Sequence, residues 1–432
     1  MTVSDVLRTR SVAGILLAEV VSTTGSYMTW LAIPWFVLAT TGSASRMGVV
    51  LGAEAAGVAI CGIPGGWLSA RLGARRTMLV VNAAAAPLML AVPLLHWAGL
   101  LSFALLVAIV FAAGSLWGPY FAAQRVVLAE ILGEDERVVS DANAFLQAAT
   151  RVTMLLGPVL AGVLIGLIGA PSVLIIDAAT FAFAFAVLGA AVPSRPPPVV
   201  SDEAQGVFAG VRHLARDPLL RAWTATIAVG DAAWSALFAT LPFYAFTRYH
   251  ENAKLAGILL ACFGVAAVVG NVLSFRVRRR VSARYVIAFG VLAQAAALWL
   301  LAAAGAAWIV GLSLLLAGVG NGIVNPSLHA MLTLIIPPAV RPQALTAVLA
   351  VNQLAAPAGY LGAGLALSHL GVRAVFVAVP AVQTITMGAR AIATLKAPGD
   401  VLSGVAAEEG EHLVSGASAG FAEQDVDAVV EA

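Results

Sequence analysis

Acidic residues inside long apolar segments are the positions where this sequence could do chemistry. Glu19, Glu54 and Asp231 each interrupt such a segment. An ionisable side chain at the centre of a membrane helix costs about 2.5–3.5 kcal/mol on insertion scales, so its presence asks for a functional explanation. A carboxylate that is dry in one conformation and hydrated in another changes its proton affinity between the two. We therefore predict that these residues bind and release protons; the alternative is a structural role, with hydrogen bonds or a pairing with Arg151.

Polar side chains follow the first of these acids at helical spacing. Glu19 begins a stripe that continues through Ser22, Thr23, Ser26 and Trp30. Residues spaced in this way lie on one face of a helix, and we expect that face to border water. Ser26 and Trp30 are therefore candidates for contact with a substrate.

A second group of candidates surrounds the third acid. Trp234 follows Asp231 by about one helical turn, and an aromatic ring beside a carboxylate suits a cationic or aromatic substrate. The other candidates for the lining of a cavity are Trp117, Arg151, Asn321, Asn325, His329 and Asn352. Polar side chains also hold membrane helices together, and that role is the alternative for each of them. Asp177 ranks below these residues, because we expect it to lie near the outer end of its segment, close to water.

The composition places the elements that carry these residues in a membrane. The chain has 432 residues, of which 61% are hydrophobic and 11% charged, whereas soluble domains carry about 25% charged residues. Apolar segments of about twenty residues recur, and each is long enough as a helix to cross a hydrocarbon core of roughly 30 Å. The alternation typical of barrel strands is not visible. The sequence therefore predicts an all-α polytopic membrane protein.

Charged or Pro/Gly-rich breaks divide the chain into twelve candidate membrane helices. Their approximate limits are 12–39, 46–69, 77–96, 99–122, 140–169, 172–193, 219–246, 254–275, 284–304, 307–331, 344–369 and 372–394. We group them into an N-terminal bundle, 1–193, and a C-terminal bundle, 219–395, joined by a cytoplasmic linker, 194–218. The acidic segment 396–432 is predicted to be a disordered cytoplasmic tail.

Basic residues orient the predicted bundle. Nearly all arginines fall in loops on the side of the N-terminus, which predicts that both termini are cytoplasmic in a cell inner (plasma) membrane. They are scattered over short loops and form no basic face, so nucleic acid is not expected as a partner.

Two halves of the chain repeat one another. The loop Gly65–Arg75 is echoed by Gly270–Arg280, and Pro34 is echoed by Pro242. Two pseudo-symmetric six-helix bundles are therefore expected. A doubled bundle of this kind is a known solution to the movement of a solute across a bilayer by alternating access.

Two motifs resemble those of the major facilitator superfamily, and the resemblance covers about residues 10–395. Its gating loop between helices two and three corresponds to Gly66-Trp67-Leu68-Ser69-Ala70-Arg71-Leu72-Gly73-Ala74-Arg75-Arg76, with Gly66, Arg71, Gly73, Arg75 and Arg76 in matching positions. Ala70 stands where the family has an aspartate. Gly157, Pro158 and Gly162 resemble the antiporter signature of helix five. The chain is most similar to the bacterial drug and siderophore exporter branch, which implies proton-coupled efflux of small amphipathic compounds.

Other functions have less support in the sequence. A phosphate-binding loop needs Gly-Lys-Ser/Thr, and neither Lys254 nor Lys396 lies in that context, so ATP is not an expected partner. The histidines show no metal-ligand spacing and the two cysteines are far apart, so neither a metal nor another cofactor is expected. The expected partners are a small-molecule substrate, protons and the lipid bilayer. A proton-coupled importer of a small metabolite is the main alternative, and a membrane enzyme or a channel is less favoured.

Overall fold

The described part of the chain forms twelve long helices. The computed structural model describes residues 9–132, 136–193, 212, 214–337 and 340–396, and within these ranges the chain forms no strand. This confirms the predicted all-α polytopic fold. In chain order the helices are α1 Arg10–Thr41, α2 Ala44–Leu72, α3 Ala74–Trp97, α4 in two segments Phe103–Ser115 and Trp117–Leu132, α5 Glu136–Ile168, α6 Ala170–Ala191, α7 Pro218–Arg248, α8 Ala253–Arg278, α9 Ala283–Leu298 with a 3₁₀ extension Trp299–Ala303, α10 Ala307–Ile335, α11 Arg341–His369 and α12 Gly371–Lys396.

The lengths of the helices match the thickness of a membrane. Ten of the helices in the described ranges are long and apolar enough to cross one. The other two, α1 and α11, contain 32 and 29 residues and are also long enough at 1.5 Å per residue. They carry more polar side chains, among them Glu19 in α1 and Asn352 in α11. These two helices therefore line the interior of the protein with polar groups.

Helix packing follows the repeat seen in the sequence. In the N half, α1–α6, helix α1 packs against α5 and α6, α2 against α4, and α3 against α6. In the C half, α7–α12, each pairing recurs six helices later: α7 packs against α11 and α12, α8 against α10, and α9 against α12. The prediction of two pseudo-symmetric six-helix bundles is confirmed. The predicted linker, 194–218, and tail, 396–432, lie almost entirely outside the described residues, so these limits stay predictions.

Two seams of small residues join the halves. Helix α2 packs against α11, and α5 packs against α8. A Cβ atom placed on Gly364 would lie 2.9 Å from Cα of Gly48, and one placed on Gly162 would lie 2.6 Å from the carbonyl oxygen of Ala253. Only a glycine lets two backbones approach so closely. Gly157 and Pro158 of the predicted helix-five motif lie one turn from Gly162, and Pro158 contacts Gly257 across the same seam.

Among the described residues, the two halves share one hydrophobic core on one side of the membrane and have separate cores on the other. We term the side where α1 begins and α12 ends the terminal side, and the opposite one the far side. One hydrophobic core on the far side includes Phe36 of the N half and Leu241 of the C half. On the terminal side each half has a core of its own, around Met78 in the N half and Leu328 in the C half. Both glycine seams also lie on the far side, so within the described part of the chain the halves are joined there and have separate cores on the terminal side.

The predicted gating loop lies on the terminal side, between α2 and α3. Gly73 ends α2 and begins α3 with φ +80°, a conformation that glycine adopts without strain. The Arg75 guanidinium donates hydrogen bonds to the carbonyl oxygens of Val192 (2.6 Å) and Gly189 (3.0 Å) at the end of α6. Arg71 and Arg76 are exposed, and Gly66 lies within the last turns of α2. In this conformation Arg75 joins the start of α3 to the end of α6, within the N half.

A bulky residue in the far-side seam should open that side. We expect Gly364→Leu to separate α11 from α2, because its side chain would overlap the backbone of Gly48. The measurement is a distance distribution by double electron–electron resonance between spin labels at the exposed far-side positions 100 and 370, after both native cysteines are replaced by alanine.

Gly362→Leu on the same helix is the matched control, because a Cβ atom there meets nothing within 4 Å. The longer distance should appear in Gly364→Leu and be absent in the control. An unchanged distribution in Gly364→Leu would show that the seam does not hold the far side closed.

Candidate transport cavities

A cavity of ≈ 240 Å³ lies between the two halves, and we term it the central cavity. Its wall is largely aromatic, and the rings that line it are Tyr27, Trp30, Trp117, Phe121, Phe238, Phe263 and Tyr360. Glu54 is the acidic residue among the described residues of this wall. Apolar pockets with few, convergent polar groups are typical of small-molecule sites. An aromatic wall with one carboxylate is suited to an aromatic or cationic guest.

A smaller cavity of ≈ 50 Å³, the N-half pocket, lies inside the first bundle. Glu54 lines this pocket as well as the central cavity, and Asp177 lies on its wall. Asp177 is 1% exposed and accepts a hydrogen bond of 2.6 Å from the Thr29 hydroxyl. Our expectation that Asp177 lies near water was therefore wrong, because α6 packs against α1 along its length. The N-half pocket thus brings together two carboxylates from α2 and α6.

Glu19 lies behind this pocket, not on it. Its side chain is 0% exposed. The Tyr120 hydroxyl donates a hydrogen bond to Oε2 (2.7 Å), and the Gln124 amide donates one to Oε1 (2.6 Å). Ser26 of the predicted polar stripe lines the N-half pocket and Trp30 lines the central cavity. The expectation that this face borders a cavity therefore holds for Ser26 and Trp30, and is wrong for Glu19, which Tyr120 covers.

Arg151 does not pair with the buried acids. Its side chain is exposed on α5, and within the described residues it makes no ion pair with Glu19, Glu54 or Asp231. It lies close enough to Tyr27 of the central cavity to interact with it electrostatically. The alternative of a pairing between Arg151 and a carboxylate is therefore not present, whereas the alternative of structural hydrogen bonds describes Glu19.

The third cavity, the C-half pocket, has a volume of ≈ 450 Å³ and a wall that combines apolar with polar side chains. The structure brings the predicted C-terminal candidates together on it, namely Asp231, Trp234, Asn321, Asn325, His329 and Asn352. The Asn325 amide donates to Oδ1 of Asn321 (2.9 Å), and Nδ1 of His329 lies 2.8 Å from the carbonyl oxygen of Asn325. The predicted common face of the three α10 residues is thus present and turned toward this pocket.

The wall also includes polar residues that were absent from our sequence-based candidates, among them Gln294, Gln383 and Arg390. Arg390 is 8% exposed, and it lies close enough to Asp231 to interact with it electrostatically. An arginine within an apolar segment was a visible signal in the sequence. Its partner could not be read from the sequence, because α7 and α12 are far apart along the chain.

Comparison with known proteins agrees with this architecture. A family model described as Major Facilitator Superfamily matches residues 15–282 and 249–409. The chain belongs to the Major Facilitator Superfamily, and it is a multi-pass membrane transporter of that class.

The chain is also similar to individual transport proteins, at sequence identities below 30%. The "Multidrug efflux pump Tap" of Mycobacterium tuberculosis is 27% identical over 288 residues, which cover 62% of this chain and 67% of that protein. The pump of the same name from Mycolicibacterium fortuitum is 24% identical over 381 residues, which cover 84% and 91%.

Solved structures share the fold. A bacterial homologue of the human lysosomal transporter Spinster, in an inward-facing and unoccupied conformation, superposes with a TM-score of 0.72 at 14% identity, covering 92% of this chain and 98% of that one. The nucleoside transporter NupG superposes with a TM-score of 0.70 at 13% identity, covering 90% and 99%. At these identities the likeness concerns the fold alone.

Removing the hydroxyl that covers Glu19 should destabilise the N half. We expect Tyr120→Phe to lower the free energy of unfolding by about 1–3 kcal/mol, because the buried Glu19 carboxyl loses one of its two hydrogen-bond donors. The measurement is the thermal unfolding midpoint of the purified protein in detergent. Tyr285→Phe is the control, since Tyr285 is 48% exposed. Equal midpoints for the two variants would contradict a structural role for the Tyr120–Glu19 hydrogen bond.

Proposed function

We propose that this protein is a proton-coupled exporter of small amphipathic compounds. The observation that carries the proposal is the position of Glu54, whose side chain lines both the aromatic central cavity and the N-half pocket. The substrate would occupy the central cavity, and its transport would proceed by alternating access of that cavity to the two sides of the membrane.

Competition for Glu54 gives a mechanism for exchange. Glu54 and Asp177 line one small pocket in an apolar bundle, where two negative charges repel each other strongly. A proton on either carboxylate relieves that repulsion, and so does a cationic group that enters from the central cavity. A proton and a cationic substrate would therefore exclude each other at Glu54. Mutual exclusion of this kind couples export of the substrate to entry of a proton.

The direction of transport is supported by the charge pattern and by the conformation. The terminal side carries most of the arginines, which is typical of a cytoplasmic face. The two halves are separate on that side and joined on the far side. A cavity between them would thus receive its substrate from the cytoplasm of a plasma membrane. The efflux pumps named Tap, to which the chain is similar, support the same direction.

Neutralising Glu54 should uncouple transport from protons. We expect Glu54→Gln to abolish proton release when ethidium, a lipophilic aromatic cation, is added to proteoliposomes that contain a pH-sensitive dye. The reason is that glutamine keeps the size of the side chain and cannot exchange a proton. Glu251→Gln is the matched control, because Glu251 is exposed in the turn between α7 and α8, outside all three cavities.

Vesicle orientation separates export from import. Wild-type protein in inside-out vesicles with an acidic lumen should accumulate ethidium, and Glu54→Gln should reduce the initial rate at least tenfold. Proton exchange at the wild-type rate in Glu54→Gln would refute the role of Glu54. Accumulation in right-side-out vesicles that are placed in an acidic medium, with none in inside-out vesicles that have an acidic lumen, would instead favour the importer.

A further inference from the structure

The wall of the C-half pocket includes a buried side-chain amide that has no hydrogen-bond partner among the described residues. Gln294 on α9 is 3% exposed, yet its Nε2 has no hydrogen-bond partner within the described structure. A buried donor without a partner costs about 1–3 kcal/mol. Oδ1 of Asn352, on α11, is likewise a buried acceptor without a partner among the described residues. One wall of the pocket thus offers a donor and another wall an acceptor.

The two charges of this pocket are also incompletely satisfied. Asp231 and Arg390 interact electrostatically but form no ion pair within 4.0 Å in the described structure. Among the described residues the Arg390 guanidinium makes one long hydrogen bond, from Nε to the Thr226 hydroxyl (3.4 Å), and its terminal nitrogens make none. No described residue donates a hydrogen bond to the Asp231 carboxylate. The nearby Ser235 hydroxyl donates instead to the backbone carbonyl oxygen of Asp231. A positive and a negative group therefore face the pocket together.

The C-half pocket adjoins the central cavity. Gln353 lies on the walls of both. Trp234 lines the C-half pocket, and its ring centroid lies 4.7 Å from that of Phe263, which lines the central cavity. Their volumes, ≈ 450 and ≈ 240 Å³, fall in or near the range of about 300–1,000 Å³ that holds drug-sized ligands. The two cavities therefore share part of their walls, and a molecule that bridges them would place one end in each.

Among the described residues, the N-half pocket differs from this site. Its volume is ≈ 50 Å³, too small for a drug-sized group, and its acidic side chains are the carboxylates of Glu54 and Asp177. The pseudo-symmetric halves thus differ in both the volume and the chemistry of their interiors.

We propose that the C-half pocket is a binding subsite for the zwitterionic head of an amphipathic substrate whose aromatic body lies in the central cavity. The anionic group of the ligand binds the terminal nitrogens of Arg390 and its cationic group binds Asp231. An acceptor and a donor on the head satisfy Gln294 and Asn352. This assignment rests on the proposed export function and defines its substrate class.

The test is binding by the purified full-length protein in detergent, without a proton gradient. The probes are a fluoroquinolone, which is an aromatic zwitterion, and its methyl ester, which keeps the amine and loses the carboxylate. We expect wild-type protein to bind the zwitterion at least tenfold more tightly than the ester. Gln294→Leu should weaken binding of the zwitterion about tenfold, and Arg390→Gln should abolish the preference over the ester.

Matched controls keep the outcome interpretable. Gln147→Leu changes an exposed glutamine of α5 outside the three cavities and should leave both affinities within twofold. Because Arg390→Gln removes a buried charge, Asn352→Leu serves as a further variant and should also weaken binding of the zwitterion. Absence of fluoroquinolone binding, equal binding of acid and ester by the wild type, or an unchanged affinity in both Gln294→Leu and Asn352→Leu overturns the assignment.

Different experimental results would refute the subsite proposal and the export proposal. Selective binding of the zwitterion by a protein that does not exchange protons for ethidium would refute the export proposal and support the subsite. Proton-coupled exchange of ethidium by a protein that shows no preference for the zwitterion would refute the subsite alone.

Discussion

The exclusion of unpaired polar groups from hydrocarbon governs this structure. In lipid, a charge or a hydrogen-bonding group has to find its partner inside the protein or beside a cavity that water can enter. Glu19 satisfies this requirement with Tyr120 and Gln124, and Asp177 does so with Thr29. Glu54 and Asp231 instead line cavities. Of these four acids of similar sequence context, only Glu19 is enclosed away from the three cavities, while Asp177 combines a hydrogen bond with a place on the wall of the N-half pocket.

The two halves share a helix arrangement and differ in what they enclose. Equivalent helix pairs pack in each bundle, and the two seams between bundles are also equivalent, since α2 with α11 mirrors α8 with α5. The N half nevertheless encloses a small acidic pocket, and the C half encloses a large one with both signs of charge. Duplication therefore fixed the framework, while side chains on that framework diverged. This asymmetry is the basis for assigning proton exchange to one half and recognition of a polar head group to the other.

The size of the side chains explains how the two halves pack together on the far side. Gly48, Gly162 and Gly364 let helix backbones touch on the far side, and apolar residues of both halves merge into one core there. On the terminal side the cores are separate. Arg75 stays within the N half in this conformation, where it bonds to the end of α6. The predicted gating loop therefore contributes to the cohesion of one bundle in this conformation.

The sequence by itself determined the class of fold, because the length and spacing of apolar segments in a chain with 11% charge leave only a bundle of membrane helices. The repeat of Gly65–Arg75 at Gly270–Arg280 also determined the two-fold organisation. Helical spacing correctly placed Asn321, Asn325 and His329 on one face, since residues four apart on a helix are neighbours. Only the tertiary structure decided which acids are covered and which are open. Tyr120 covers Glu19, and Arg390 faces Asp231, across helices that are distant in sequence, and no local pattern encodes which helix packs against which face.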